Sequence, residues 1–187
     1  VLLNNTVSTS AIQPFLAVKY KDQVIHTHLV GAYNVDNLKA AISIGEYFTI
    51  SQENIISAIK NYIPTNNRSQ IIKKKNNTIL MDAYNANPSS MEAAITHFAE
   101  TENNPKIVIL GDMFELGSFT QQAHQQIIEQ LESSGIERIL VVGEHFFRTQ
   151  SNDPRVSRFE SLEEIKNYLK QNPIENSEIL IKGSRGM

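Results

Sequence analysis

The stretch KIVILGDMFELG, residues 106–117, sets an apolar run directly before a loop that carries two carboxylates between glycines. Residues 106–110 have the length and composition of a buried strand, and an amphipathic helical pattern follows from about residue 119. A strand of this kind, a polar loop and a covering helix are typical of a parallel sheet with helical crossovers. The stretch therefore predicts an α/β fold with polar loops at the strand ends.

The same alternation of strand and helix continues on both sides of this stretch. Its apolar spacing predicts strands at 69–74, 78–82, 138–142 and 179–181, and helices at 88–100, at 119–133 and from Ser161. Gly135 is expected at the C-cap of the 119–133 helix, and Ser161 with Glu164 forms a capping-box pattern. We expect a mostly parallel sheet that helices cover on both faces.

A different pattern occupies the first third of the chain. Residues 14–20 and 23–29 are rich in β-formers and predict a hairpin through Lys21-Asp22. Helical spacing then begins at Asn34 and again after Ser51, and Pro64 stops it. Because residues 64–67 are polar and rich in helix breakers, we place a domain boundary there, with domains at 1–63 and 64–187.

The composition excludes several classes of function. The 187 residues are 41% hydrophobic and 20% charged with a net charge of -3, so no basic footprint for nucleic acid or an anionic membrane is present. The chain has no cysteine and no apolar run near the ~20 residues that span a bilayer. We expect a cytoplasmic protein without nucleic-acid or membrane partners, and we interpret the basic run at 73–75 as an exposed hairpin end.

Polar residues cluster where the predicted strands end, at 82–87, 111–117, 143–145 and 182–185. Ligands of open α/β sheets bind beyond these carboxyl ends. Asn87-Pro88 is typical of a helix N-cap followed by proline at the first helical position. Asp82 and Tyr84 fit a carboxylate that holds ribose hydroxyls and a ring that stacks on a base. An ordinary polar loop explains them equally well.

The loop at 111–117 also allows two interpretations. Asp112 and Glu115 have the chemistry to bind a substrate ammonium group or a cation, or to act as a base. Alternatively, Asp112 caps backbone amides and Glu115 faces water. We interpret His124, inside the following helix, as a packed or surface histidine rather than a ligand.

Residues 182–186, Lys-Gly-Ser-Arg-Gly, are similar to an anion-binding glycine loop. The order G-x-x-x-x-G-K-[ST] of a Walker A loop is absent from the chain. Asn34 and Asn37, three residues apart in a first helical turn, are amides able to read an adenine edge. Asn34 as an N-cap with Asn37 exposed is the alternative.

Five strings together resemble the Mur ligase family, and in particular its D-alanyl-D-alanine-adding branch. They are residues 31–37, 67–68, 82–91, 111–117 and 182–187. The resemblance implies that residues 1–63 end a central ATP-binding domain and that 64–187 form a Rossmann-like C-terminal domain. It also implies a fragment, which fits a chain that does not begin with Met. The P-loop, the magnesium ligands and the family's modified lysine are expected upstream of residue 1.

The resemblance further implies an ATP-dependent ligase of peptidoglycan synthesis, monomeric, whose cofactors are ATP and Mg²⁺. Its substrates are UDP-N-acetylmuramoyl-tripeptide and D-alanyl-D-alanine, joined through an acyl phosphate, and the fragment alone is expected to be inactive. Matched position by position, the implied nucleotide-binding residues are Asn34, Asn37, Arg68, Asp82 and Tyr84. The implied substrate-binding residues are Asn85, Asn87, Asp112, Glu115, Ser184 and Arg185.

Two other functions remain open from the sequence. The chain fits a non-enzymatic α/β binding module, in which the strand-end carboxylates are ordinary loop chemistry. It also fits a related amide ligase such as a folylpolyglutamate synthase, although the D-x-Y-N-A-N-P string at residues 82–88 favours the muramoyl-peptide branch.

Overall fold

A computed structural model describes residues 7–11, 15–31, 34–65, 70–100 and 105–187. The chain divides into two units, residues 1–65 and 66–187. Among the described residues, no helix is both long and apolar enough to cross a membrane.

The first unit contains a three-stranded antiparallel sheet. Its strands are β1 (Val7–Ala11), β2 (Ala17–Tyr20) and β3 (Gln23–His26), in the order β1-β2-β3. The predicted hairpin through Lys21-Asp22 is present, with Lys21 at a positive φ of 52°. Strand β1 was not predicted, because its sequence VSTSA has too few apolar residues for an alternating pattern.

Two helices complete the first unit, α1 (Asn34–Tyr47) and α2 (Gln52–Asn61). Both begin where the sequence predicts, and the hydroxyl of Ser51 caps α2 by accepting from the amide of Asn54 at 3.3 Å. Their apolar faces pack with the sheet in one core. The core side chains include Leu16, Val18, Tyr20, Ile25, Leu38, Ile42, Ile55 and Ile59.

The described residues of the second unit form a six-stranded sheet, four α-helices and a 3-10 helix at Gly117–Phe119. The strands are β4 (Gln70–Lys74), β5 (Asn77–Asp82), β6 (Lys106–Gly111), β7 (Arg138–Val142), β8 (Val156–Phe159) and β9 (Glu178–Lys182). The helices are α3 (Pro88–Ala99), α4 (Thr120–Glu132), α5 (Glu144–Phe147) and α6 (Leu162–Gln171). The strand order is β4-β5-β9-β6-β7-β8, and only the β4–β5 pair is antiparallel.

Alternate side chains of the central strands enter two separate cores. Val108 and Leu110 of β6 pack with Ile139 and Val141 of β7 in the core that receives α3 and α4. The intervening residues of the same strands join the other core, where Leu140 and Val142 meet Ile165 of α6. Helices therefore cover both faces of a mostly parallel sheet, and the predicted fold class is confirmed.

Local details differ from the sequence-based expectations at three points. The β4–β5 turn is Lys75-Asn76, with Lys75 at φ 53°, one residue earlier than predicted. Helix α4 ends at Glu132 with Ser133 as its C-cap, and Gly135 lies beyond the cap without a positive φ. The Glu164 carboxylate accepts from the amide of Glu160 rather than from the N-cap residue. Short elements that lack a full period, β8 and α5, were not predicted.

The last strand in the sequence occupies the middle of the sheet. Strand β9 pairs in parallel with β5 on one edge and with β6 on the other. Lys182 consequently lies beside Asp82 of β5 on one side and beside Leu110 of β6 on the other. The loop after β9 is thereby placed between the loops that follow β5 and β6.

His124 of α4 is a packed histidine, as the sequence indicated. Its ring is fully buried and packs edge-on against Phe146, with ring centroids 4.6 Å apart. Phe146 belongs to the core that receives α3 and α4. Nδ1 lies 2.6 Å from the carbonyl oxygen of Thr120 and donates to it, while Nε2 accepts from the amide of Met113 at 3.0 Å. Both nitrogens are satisfied only when the ring is neutral.

Burial lowers the pKa of His124 below its usual value, and this effect outweighs the Thr120 carbonyl and the Asp112 carboxylate, which raise it. The unfolded chain therefore binds a proton on this ring near pH 6.5, whereas the folded chain binds it only at a lower pH. Stability from the neutral ring is fully present above pH 6.5 and is lost as the pH falls toward the lowered pKa.

We predict that the free energy of unfolding of the wild type falls more steeply between pH 7 and pH 5 than that of His124→Gln. Urea unfolding at several pH values measures both slopes. The exposed His26→Gln is the matched control and should keep the wild-type slope. Equal slopes for His124→Gln and the wild type would contradict a neutral buried ring.

Candidate functional site

The carboxyl ends of five parallel strands meet at one edge of the six-stranded sheet. The loops that leave this edge begin at Asp82, Gly111, Val142, Phe159 and Lys182. Most of the residues predicted to bind ligands in the second unit lie in these loops. We call this group of loops the strand-end face.

Asp82 and Lys182 form an ion pair at the centre of the strand-end face. Lys182 Nζ donates to Asp82 Oδ2 at 2.7 Å, and the two side chains are only 3% and 13% exposed. Lys182 Nζ also lies 3.3 Å from the carbonyl oxygen of Asn85. The cation thus binds both the last residue of β5 and the loop that follows it.

Ser184 joins three loops by hydrogen bonds. Its hydroxyl donates to the carbonyl of Ala86 at 3.2 Å and accepts from the amide of Phe114 at 2.9 Å. Its own amide donates to the carbonyl of Asp112 at 3.0 Å. Ser184 is 4% exposed and its hydroxyl is hydrogen-bonded within the protein, and its predicted substrate contact stays a prediction.

Asp112 is likewise held by the protein itself. Its Oδ2 accepts from the amide of His145 and its Oδ1 from the amide of Phe146, both at 2.9 Å, and the residue is 2% exposed. The carboxylate therefore caps the first turn of α5, the helix that follows the neighbouring strand β7. This placement matches the capping interpretation, except that the capped amides lie 33 and 34 residues away. The predicted substrate contact of Asp112 stays a prediction.

Gly143 makes this cap possible. A Cβ atom at Gly143 would lie 2.3 Å from Asp112 Cγ, and its backbone has φ 126° and ψ 162°, a region that only glycine occupies readily. Gly183 allows a second close approach, because a Cβ there would lie 3.1 Å from the Cα of Gly111. The loops after β6, β7 and β9 are thus packed together at backbone distance.

Asn87 and Asn85 shape the loop between β5 and α3. The side chain of Asn87 accepts from the amide of Ser90 at 2.9 Å, and the hydroxyl of Ser90 accepts from the Asn87 amide at 3.1 Å, which completes a capping box. Asn87 therefore acts as the predicted N-cap. The residue is exposed, and its predicted substrate contact stays a prediction. The Asn85 side chain is exposed and accepts from the amide of Ala86 at 2.9 Å.

Tyr84, Glu115 and Arg185 are further predicted site residues with exposed side chains on the strand-end face. Tyr84 is 40% exposed, and the guanidinium of Arg185 lies 6.0 Å from the centre of its ring. Glu115 is exposed and has a positive φ of 64°. An aromatic ring, a cation and a carboxylate are therefore available to a ligand here.

Asn34 and Asn37 lie in the first unit, where their amide groups are hydrogen-bonded. Asn34 Nδ2 donates to the carbonyl of Val30 at 2.8 Å, and Asn37 Nδ2 donates to Asn34 Oδ1 at 3.1 Å. Asn34 is 8% exposed and is the first residue of α1. Arg68, also predicted to bind nucleotide, lies outside the described residues.

A cavity of about 290 Å³ opens beside the Asp112 cap. It is lined by Asp112, Phe114, Val142, Gly143, Glu144, His145, Glu160, Leu162, Gly186 and Met187. Within the described part of the chain, no group of three or more His, Asp or Glu side chains is arranged to hold a metal ion.

Lys182 and Gly143 make internal contacts that were not predicted from the sequence, although Lys182 belongs to the glycine loop that is similar to an anion-binding loop. For Lys182 a signal existed, because a lysine that ends the apolar strand ILIK is rarely buried without a partner. For Gly143 the sequence held no equivalent signal. Its requirement arises from Asp112, which approaches only in the folded sheet.

We predict that Gly143→Ala lowers the free energy of unfolding by about 1–3 kcal/mol from backbone strain alone, because alanine would have to adopt the backbone conformation of Gly143. The clash with Asp112 adds to that loss. Gly135→Ala is the matched control, because its Cβ would meet nothing within 4 Å. Urea unfolding should place the control within about 1 kcal/mol of the wild type. Similar losses for both variants would contradict the cap.

Comparison with known proteins identifies the family. A family model described as "Mur ligase, glutamate ligase domain" matches residues 67–185. The UDP-N-acetylmuramoyl-tripeptide--D-alanyl-D-alanine ligase of Bacillus subtilis is 30% identical over 194 residues, which cover 97% of this chain and 41% of the relative. The chain therefore spans less than half the length of this relative.

Solved structures show the same fold. The UDP-N-acetylmuramoylalanyl-D-glutamyl-2,6-diaminopimelate--D-alanyl-D-alanyl ligase of Acinetobacter baumannii superimposes with a TM-score of 0.81 at 23% identity, covering 96% of this chain and 41% of that one. The MurF ligase of Thermotoga maritima, solved in complex with ADP, gives 0.74 at 18% identity, covering 95% and 42%. Because the family model matches most of its length and the folds agree, the chain belongs to the Mur ligase family.

Proposed function

We propose that the full-length protein containing this chain is an ATP-dependent ligase that joins D-alanyl-D-alanine to UDP-N-acetylmuramoyl-tripeptide. The observation that carries the proposal is the match of a relative bearing that name across 97% of the chain. The reaction belongs to cytoplasmic synthesis of peptidoglycan precursors, and through them to cell-wall growth, cell shape and division. We further propose that the protein acts as a monomer.

The proposed chemistry has three steps. ATP phosphorylates the terminal carboxylate of the tripeptide, because a free carboxylate resists attack by an amine. The amine of D-alanyl-D-alanine then attacks the acyl phosphate. The tetrahedral intermediate collapses to the amide with release of phosphate, and ADP remains. Catalysis of this kind depends on positioning the reactants and on neutralising phosphate charge.

This chain would supply positioning groups rather than the phosphate-cleaving site. It contains no Walker A sequence. We propose that residues 1–63 end the ATP-binding domain, that 64–187 form the C-terminal domain, and that the P-loop and the magnesium ligands belong to other parts of the full-length protein. Mg²⁺, when bound there, would neutralise charge on the transferring phosphoryl group.

The residue roles come from the family resemblance, matched position by position. We propose that Asn34, Asn37 and Arg68 contact the nucleotide, with Asp82 on the ribose and Tyr84 near the base. The proposed substrate contacts are Asn85, Asn87, Asp112, Glu115, Ser184 and Arg185. Asn87, Asp112 and Ser184 also hold the loops in place through their internal hydrogen bonds.

We predict that the full-length protein forms ADP only when both UDP-N-acetylmuramoyl-tripeptide and D-alanyl-D-alanine are present. Asp82→Asn and Arg68→Ala should each lower kcat/KM for ATP by about tenfold or more, the loss expected for a charged hydrogen bond. A coupled ADP-release assay measures this. Lys73→Ala, an exposed lysine of the β4–β5 hairpin, is the control and should match the wild type.

The isolated chain tests where the phosphate site lies. Residues 1–187 alone should release no phosphate from ATP in the presence of both substrates. Release at the rate of the full-length enzyme would show that this chain holds the catalytic phosphate site. A full-length protein with no activity dependent on D-alanyl-D-alanine would instead favour a binding module, and activity with glutamate and a folate would favour a folylpolyglutamate synthase.

A further inference from the structure

Lys182 is a buried cation whose partners lie on a single loop. Its side chain is 3% exposed at the end of β9, and its ammonium group contacts the Asp82 carboxylate at 2.7 Å and the Asn85 carbonyl at 3.3 Å. An ammonium group in the interior is costly unless it is paired and hydrogen-bonded. Both contacts are made to the end of β5 and the residues that follow it.

The position of Lys182 is itself rigidly set. Strand β9 is paired on both edges, so the backbone at residue 182 is held by β5 and by β6. Two residues later, Ser184 binds the loops on both sides. The other end of the ion pair is less enclosed, because Tyr84 and Asn85, just beyond Asp82, are exposed. The rigid lysine therefore orients the carboxylate at the mouth of the loop.

The pair also changes the charge that a ligand meets. A bare carboxylate at the strand-end face would repel the phosphates of a nucleotide. Lys182 neutralises Asp82 from the buried side while leaving it a carboxylate, which accepts hydrogen bonds from hydroxyl groups. The combination suits a ribose in an anionic nucleotide better than an isolated acid would.

We propose that Lys182 is a positioning residue for ATP: it fixes the Asp82 carboxylate and the backbone at Asn85 so that Asp82 meets the ribose hydroxyls. This inference rests on the proposed function, in which Asp82 contacts the nucleotide. Lys182 acts through Asp82 and does not touch ATP. An ion pair that served stability alone would not distinguish ATP from the dipeptide.

The test uses the full-length protein with Lys182→Met, which removes the charge and keeps the length of the side chain. KM for ATP should rise about tenfold to a hundredfold, the range for loss of a charge-assisted hydrogen bond. KM for D-alanyl-D-alanine should stay within about twofold of the wild type. Affinity for ADP, measured by calorimetry, should fall by the same factor as KM for ATP rises.

Lys106→Met is the matched control. Lys106 is also buried, at 6% exposure, and its ammonium group donates to the carbonyl of Ala99 at 2.5 Å. It lies at the amino-terminal end of β6, away from the strand-end face. Its loss should lower Tm and leave both KM values unchanged. If Lys182→Met behaves like this control, or raises both KM values equally, the positioning role is overturned.

A double variant keeps the inference testable if Lys182→Met fails to fold. Asp82→Asn with Lys182→Met removes both charges, so no unpaired ion is left inside. If Lys182 acts through Asp82, the double variant has the same KM for ATP as Asp82→Asn alone. A further rise in the double variant overturns the inference. A wild type without D-alanyl-D-alanine-dependent ADP formation would instead refute the proposed function.

Discussion

Strand β9 pairs with a neighbour on each edge, and the rest of the second unit is arranged around that position. Because β9 lies between β5 and β6, its final residues separate the two loops that carry most of the predicted ligand contacts. Lys182 reaches one loop through Asp82, and Ser184 reaches both. A parallel strand with two partners has little freedom to shift, so these polar contacts are made from a fixed frame.

The strand-end face combines a rigid interior with a few exposed groups. Inside, the carboxylate of Asp112 accepts hydrogen bonds from the first turn of α5, and Gly143 has no Cβ that would clash with this carboxylate. Outside, the exposed side chains of Tyr84, Glu115 and Arg185 present an aromatic ring, a carboxylate and a guanidinium cation to solvent. Buried polar groups that satisfy one another hold loops in one conformation, which is what precise placement of reactants demands.

Long periodic segments were predictable, and short or cross-linked features were not. The stripe at Met91, Ala94, Ile95 and Phe98 is buried as its helical spacing indicated, because one face of an amphipathic helix must pack on the sheet. Strand β8 and helix α5 have only four residues each, too few for a period to emerge. The hydrogen-bond partners of Asp112 and Ser184 were not predictable, because chain position alone does not show which distant groups a buried side chain meets.

The sequence by itself determined the α/β class, the order of its long elements, the N-caps at Asn87 and Ser161, and the family resemblance. Each of these depends on residues close together in the chain or on strings kept in register. The tertiary structure alone decided the central place of β9, the pairing of Lys182 with Asp82 across 100 residues, and the cap that Asp112 gives to α5. These contacts join segments that become neighbours only when the sheet assembles, so no local pattern encodes them.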